Sequence, residues 1–159
     1  VSSLVLGGAL KAQKAVELSL GKTLLSLEQQ VSDRTTQLRE SQAILDGFFS
    51  VAPVGLGIVD RDLRYVRVNT LMAAMHNLPA ESHIGQTIHE IQPDLAADIE
   101  PVYRQVLNTG EPILNREETS NIQYPNNPIQ TWLATYFPIL NSAQKPAQVG
   151  VVLIEITEI

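Results

Sequence analysis

The sequence predicts an α+β fold, an antiparallel sheet covered on one face by short helices and entered from a long N-terminal helix. Three observations lead there. Leu20, Leu24, Leu27, Val31, Leu38, Leu45 and Phe48 recur at the spacings that put side chains on one helix stripe. That pattern ends at Pro53, where short alternating runs and turn residues take over. Beyond it the order is two strands, a block of short helices, then three strands, and one helical block between strands gives this layered arrangement.

The first helix is expected from about Lys11 to Phe48. With Leu24 at position a of a heptad, Leu24, Val31, Leu38 and Leu45 occupy a, while Leu20, Leu27, Arg34, Ser41 and Phe48 occupy d. Leu20, Leu24, Leu27, Val31, Leu38 and Leu45 are therefore the expected seam of a homodimeric coiled coil. Arg34 and Ser41 are polar layers, which set register at a cost in stability. The alternative is one amphipathic helix lying on its own domain, but a periodic run this long without a cap favours the coil. Gly21 and Gly47 weaken it by about 1 kcal/mol each relative to Ala.

After Pro53, Val54 to Val59 reads as a short apolar strand, Asp60-Arg61-Asp62 as a turn, and Arg64 to Val68 as a half-buried alternating strand. Asn69 is placed to cap a helix carrying Leu71, Met72 and Met75 that ends near Asn77. Pro79 to Ile84 is a further helical turn closed by Gly85. Thr87 and Glu90 have capping-box spacing ahead of another short helix. A last helix opens at Asp94, presents Leu95, Ile99, Val102, Val106 and Leu107 on one face, bends at Pro101 and stops at Gly110. Pro112 to Thr119 forms the third strand, ahead of a turn at Pro125-Asn126-Asn127-Pro128. Thr131 to Ile139 alternates Trp132, Ala134 and Tyr136 against Leu133, Thr135 and Phe137, and after a polar loop from Asn141 to Pro146 comes Val149 to Ile154. That last run is nearly all apolar, as a central strand should be.

Composition narrows the function. The chain has 159 residues, 44% hydrophobic and 18% charged, with a formal charge of −6. That is globular, and the lack of a Lys/Arg cluster argues against a nucleic-acid partner, because each phosphate contact needs a cation. There is no Cys, which removes disulfides, thiolate nucleophiles and cysteine metal sites. The chain opens on Val, and its Leu4 to Leu10 run is too short to span a bilayer; it reads either as the end of a truncated membrane helix or as the first turns of a soluble one.

The ordered segments resemble a PAS domain. Pro53 to Asp60 followed by Leu63 to Asn69 is similar to the opening hairpin of that family and the Asn that starts its helical part. Leu78-Pro79-Ala80-Glu81 with Gly85, then Leu107 to Pro112, match its middle, and Glu155-Ile156-Thr157 resembles the Asp-Ile-Thr at which such modules pass into an output helix, with Glu in place of Asp. Leu27 to Thr35 resembles the signalling helix ahead of PAS modules in bacterial sensor kinases. The resemblance divides the chain into a signalling coil, residues 1–48, and a PAS module, residues 49–159. It implies a five-stranded antiparallel sheet, a cavity walled by the short helices, dimerisation through the flanking helix and an output junction at Glu155 and Thr157. It further implies a noncatalytic sensory or relay role in the cytoplasm, within a longer protein that is a histidine kinase. In that arrangement a C-terminal effector domain follows, and any membrane tether lies upstream. A ligand-free structural relay, or a module serving a phosphatase or cyclase, is the alternative.

No Ser-His-Asp set, phosphate loop or facing carboxylate pair is present. His76, His83 and His89 read as surface or capping residues, and none lies on the Asp94 helix where haem-binding PAS proteins commonly carry their ligand, so haem is not expected. Without Cys, covalent flavin chemistry is not expected either, and the occupant left open is a small apolar or mixed ligand. Met72, Met75, Tyr103, Leu107, Trp132 and Tyr136 are the candidate pocket residues, although aromatic residues at strand spacing equally make a core. Arg116, Glu117 and Glu118 read as a solvated strand edge, and Asp60 and Asp62 as turn residues that satisfy backbone amides.

Overall fold

The computed structural model describes residues 2–119 and 129–156. The chain divides into two compact units, residues 1–46 and 47–159. Helix α1, Ser2–Val51, supplies the whole of the first and runs into the second. It starts earlier than the expected Lys11 because the Leu4 to Leu10 run is itself helical. The seam residues Leu20, Leu24, Leu27, Val31, Leu38 and Leu45 are each more than half exposed, as is Phe48. The neighbouring Phe49 is instead half-buried, with the Arg67 guanidinium 4.1 Å from its ring centre.

The second unit holds β1 (Gly55–Asp60), β2 (Tyr65–Val68), α2 (Thr70–Met75), a 3₁₀ turn at Ala80–Ser82, α3 (Ile88–Ile91), α4 (Pro93–Thr109), β3 (Ile113–Thr119), β4 (Thr131–Leu140) and β5 (Pro146–Glu155). The sheet order is β2-β1-β5-β4-β3, antiparallel throughout, which makes the apolar β5 the central strand. The α+β class and five-stranded sheet agree with the sequence expectation. The turns expected at residues 125–128, and Thr157 of the output junction, lie outside the described residues.

Local chemistry accounts for the joints. Asp60 accepts from the amides of Asp62 and Arg64, so the first hairpin turn is held as expected. Asn69 is 2% exposed and ties three segments: its Oδ1 accepts from the amides of Met72 and Leu56, and its Nδ2 donates to the Val54 carbonyl. Thr87 and Glu90 form the full capping box. Helix α4 begins at Pro93 rather than Asp94, with the proline at a first-turn position where its missing N–H costs nothing. It continues through Pro101, and Gly110 closes it at φ +69°.

Helix α2 packs on β1, and α4 lies across β4 and β5. The core between sheet and helices includes Val59, Met72, Ile88, Val106, Ala134, Val149 and Val151. On β1, glycine permits the close approach of α2. A Cβ at Gly57 would meet Met72 Sδ at 2.5 Å, and one at Gly55 would meet Met75 Sδ at 3.0 Å.

Candidate functional site

The face of β3, β4 and β5 that turns toward α2 and α4 borders a partly open cavity of about 470 Å³. Alternation along β4 brings Trp132, Ala134 and Tyr136 to that face. Antiparallel register then builds a transverse row, with Trp132 opposite Glu118 of β3 and opposite Glu155 of β5. A second row places Tyr136 opposite Val151. The helical side supplies Met72, Met75 and His76 from α2 and its cap, Gln92 and Leu95 around the start of α4, and Ile99 and Tyr103 further along it.

Five of the six expected pocket residues, Met72, Met75, Tyr103, Trp132 and Tyr136, therefore line one cavity. Leu107 does not: it is 6% exposed and packs in the core, because it lies one turn beyond Tyr103 on α4. Tyr103 and Tyr136 meet edge to face, with ring centres 4.9 Å apart and an interplanar angle of 82°. The Trp132 indole N–H is buried without a hydrogen-bond partner among the described residues.

Glu118 corrects the sequence reading of a solvated edge. A bulge between Ile113 and Arg116, with Asn115 at φ +51°, shifts the parity of β3 and turns Arg116 and Glu118 inward while Glu117 stays exposed. The Tyr136 hydroxyl donates to Glu118 Oε1 at 2.5 Å, and Arg116 Nε lies 3.9 Å from the same oxygen. Burial raises the Glu118 carboxyl above the usual carboxylate range; the Tyr136 hydrogen bond and Arg116 oppose that rise. Burial also raises the Tyr136 and Tyr103 hydroxyls, so both remain protonated donors at neutral pH.

His76 and His83 cap the C-terminal ends of α2 and the 3₁₀ turn, in line with the capping half of the sequence reading, but neither is a surface residue. His83 is fully buried and stands 2.9 Å, ring nitrogen to ring nitrogen, from His76, while its Nδ1 lies 2.9 Å from the Pro79 carbonyl. A carbonyl only accepts, so His83 Nδ1 carries a proton; with both rings neutral, His83 Nε2 accepts from His76 Nδ1 and His76 Nε2 is left as an acceptor. His76 lines the cavity, and burial followed by its neighbour His83 lowers its pKa to about 4. Tyr65 covers the pair, edge-on to His83 at 5.5 Å, and donates its hydroxyl to Gln92 Oε1 at 3.3 Å. His89 is exposed.

Glu155, half of the expected output junction, closes the transverse row on the cavity side. His76 Nε2 is the atom of the pair that could reach a metal or cofactor, since both His83 nitrogens are engaged. Among the described residues, no group of three or more His, Asp or Glu side chains could hold a metal ion, and no helix is long and apolar enough to cross a membrane.

Similar folds occur in known proteins. VqmA from Vibrio cholerae, described with a target DNA as a LuxR-type receptor, is 22% identical with a TM-score of 0.63; the match covers 72% of this chain and 51% of VqmA, so the chain spans about half that protein's length. The PAS domain of BvgS from Bordetella pertussis is 19% identical with a TM-score of 0.59, over 75% of this chain and 88% of that domain. A sensory box sensor histidine kinase from Vibrio cholerae is 17% identical with a TM-score of 0.54, over 79% of this chain and 99% of that one. No curated protein matches the sequence. The PAS fold family matches residues 49–159, which hold all five strands and the cavity. On that match the chain belongs to the PAS fold family, and residues 49–159 are its PAS sensory domain.

Proposed function

We propose that the chain is the noncatalytic sensor and relay module of a larger signal-transduction protein, a histidine kinase, homodimeric through α1 and working in the cytoplasm. A ligand held in the cavity would bias the flanking helices. The observation that carries this reading is the cavity itself. It is far larger than one water needs, and a part-buried carboxyl, a locked imidazole and the protonated Tyr103 hydroxyl meet in its wall. Polar groups of that kind cost stability in a closed core and are satisfied by an occupant. The apolar seam on α1 supports dimerisation, because a stripe of exposed Leu and Val residues is what a second copy would cover.

Ligand binding can shift a two-state dimer only by its difference in affinity for the two states, so no catalytic group is required of this module. Similarity to the sensor histidine kinase and to the BvgS domain supports a kinase effector. The likeness to VqmA favours a second reading, a DNA-binding effector, although this chain's own charge of −6 speaks against its touching DNA directly. Mass spectrometry of a solvent extract from the purified protein tests the sensor reading, together with thermal shifts across a metabolite panel. A stoichiometric small molecule, or a ligand that raises the melting temperature, is expected. An empty protein indifferent to every compound would leave a ligand-free relay in its place.

A further inference from the structure

From the cavity wall we infer that the ligand is a small amine, protonated at neutral pH, that also carries a hydroxyl or carbonyl oxygen. This rests on the cavity being the sensor's ligand site, and it follows from the charge, register and hydrogen-bond polarity of the wall.

Among the described lining residues are three carboxylates, Asp94, Glu118 and Glu155, and neither Lys nor Arg. Arg116 approaches Glu118 at 3.9 Å but does not line the space. Asp94 and Glu155 are exposed and Glu118 is part-buried, so an anionic ligand meets like charge at the rim and within, whereas a cation meets opposite charge. Register sharpens the preference. Glu118 and Glu155 flank Trp132 from the two neighbouring strands, so an indole face lies between two carboxylates, with Tyr136 and Tyr103 beside it. Aromatic faces bordered by carboxylates attract an ammonium group by charge and by the ring quadrupole together.

The hydrogen bonds select the same group. His76 Nε2 is an acceptor, fixed by the chain that runs from His76 Nδ1 through His83 to the Pro79 carbonyl. Glu118 receives the Tyr136 hydroxyl on one oxygen and has a second oxygen to offer. A wall rich in acceptors wants a ligand rich in donors, and an ammonium has three N–H groups and no acceptor. The wall holds donors too: the Tyr103 hydroxyl lines the cavity and stays protonated at neutral pH, and it suits one oxygen on the same ligand. Burial, and after it the charge of Asp98, raises the Glu118 carboxyl; a cation seated beside it would favour the ionised form, so binding and ionisation reinforce each other.

Three probes of one skeleton test this: phenylethanolamine, styrene glycol in which hydroxyl replaces the amine, and mandelate in which carboxylate does. Calorimetry on the intact chain should show phenylethanolamine binding at least roughly tenfold tighter than styrene glycol, with no binding of mandelate. Glu118→Gln keeps an acceptor for Tyr136 but loses the charge, and should remove that preference by weakening the amine far more than the glycol; Glu155→Gln is the second variant should the first not fold. Tyr103→Phe should weaken amine and glycol alike, since both carry the hydroxyl. If mandelate or the glycol binds as tightly as the amine, the amine class falls while the cavity remains a ligand site. Amine affinity unchanged in both Gln variants also overturns it. If none of the three binds at millimolar concentration, and the solvent extract is empty too, the ligand-site reading falls with it.

Discussion

His76 and His83 place two imidazoles in one hydrogen bond behind a cavity, and the arrangement has a measurable cost in acid. The folded pKa of His76 is lowered to about 4, against about 6.5 in an unfolded chain. Between those values the unfolded state binds a proton that the native state refuses, so stability is full above pH 6.5 and falls as the pH drops toward 4, by up to about 3 kcal/mol. Urea unfolding at a series of pH values should show that loss in the wild type and a flatter profile in His76→Gln, while His89→Gln, at an exposed position, should follow the wild type. Gly57 is a second test at this scale. An added Cβ would press on Met72 Sδ, so Gly57→Ala should cost about 1 to 3 kcal/mol in chemical denaturation, and a neutral result would mean that Met72 turns aside freely. Tyr103 stands on α4, while Trp132 and Tyr136 were legible from alternation along β4. The histidine pair was not, because His76 and His83 come together only through the chain reversal between α2 and the 3₁₀ turn, a tertiary event that no residue spacing announces.

At the scale of elements, caps and stops were the most readable features. Asn69, Thr87, Glu90 and Gly110 act where their side chains or φ angles dictate, since capping is decided within a few residues. Glu118 was misread for the opposite reason. Its side is set by one extra residue near Asn115, and β3 carries too few apolar side chains for its pattern to reveal the shift. Asn69 also does more than cap: it bonds the entry of β1 to the first turn of α2, so Asn69→Ala should remove three hydrogen bonds from a buried site and cost about 3 kcal/mol. Thermal denaturation checks the magnitude. A loss below about 0.5 kcal/mol would show that water replaces the side chain.

For the whole molecule, the decisive quantity is the oligomeric state. Val31→Asp with Leu38→Asp would set unpaired charges into the proposed seam, so light scattering should report a dimer for the wild type and a monomer for the double variant. A dimer that survives both substitutions would move the interface from α1 to the PAS module. The proposed effector is not legible in this sequence, because the physics that folds a PAS domain is indifferent to what such a domain controls.

The central position of β5 has a consequence for how an occupied cavity could be reported. Val151, Leu153 and Glu155 occupy every second position of that strand and are all cavity residues, while Val152 and Ile154 point the other way. Sliding β5 by one residue would evict all three together and admit the two outward ones, and both neighbouring strands would lose their pairing in the same step. The strand is thus a ratchet with a single tooth engaged, stiff along its length, and what an occupant can change is its tilt or twist.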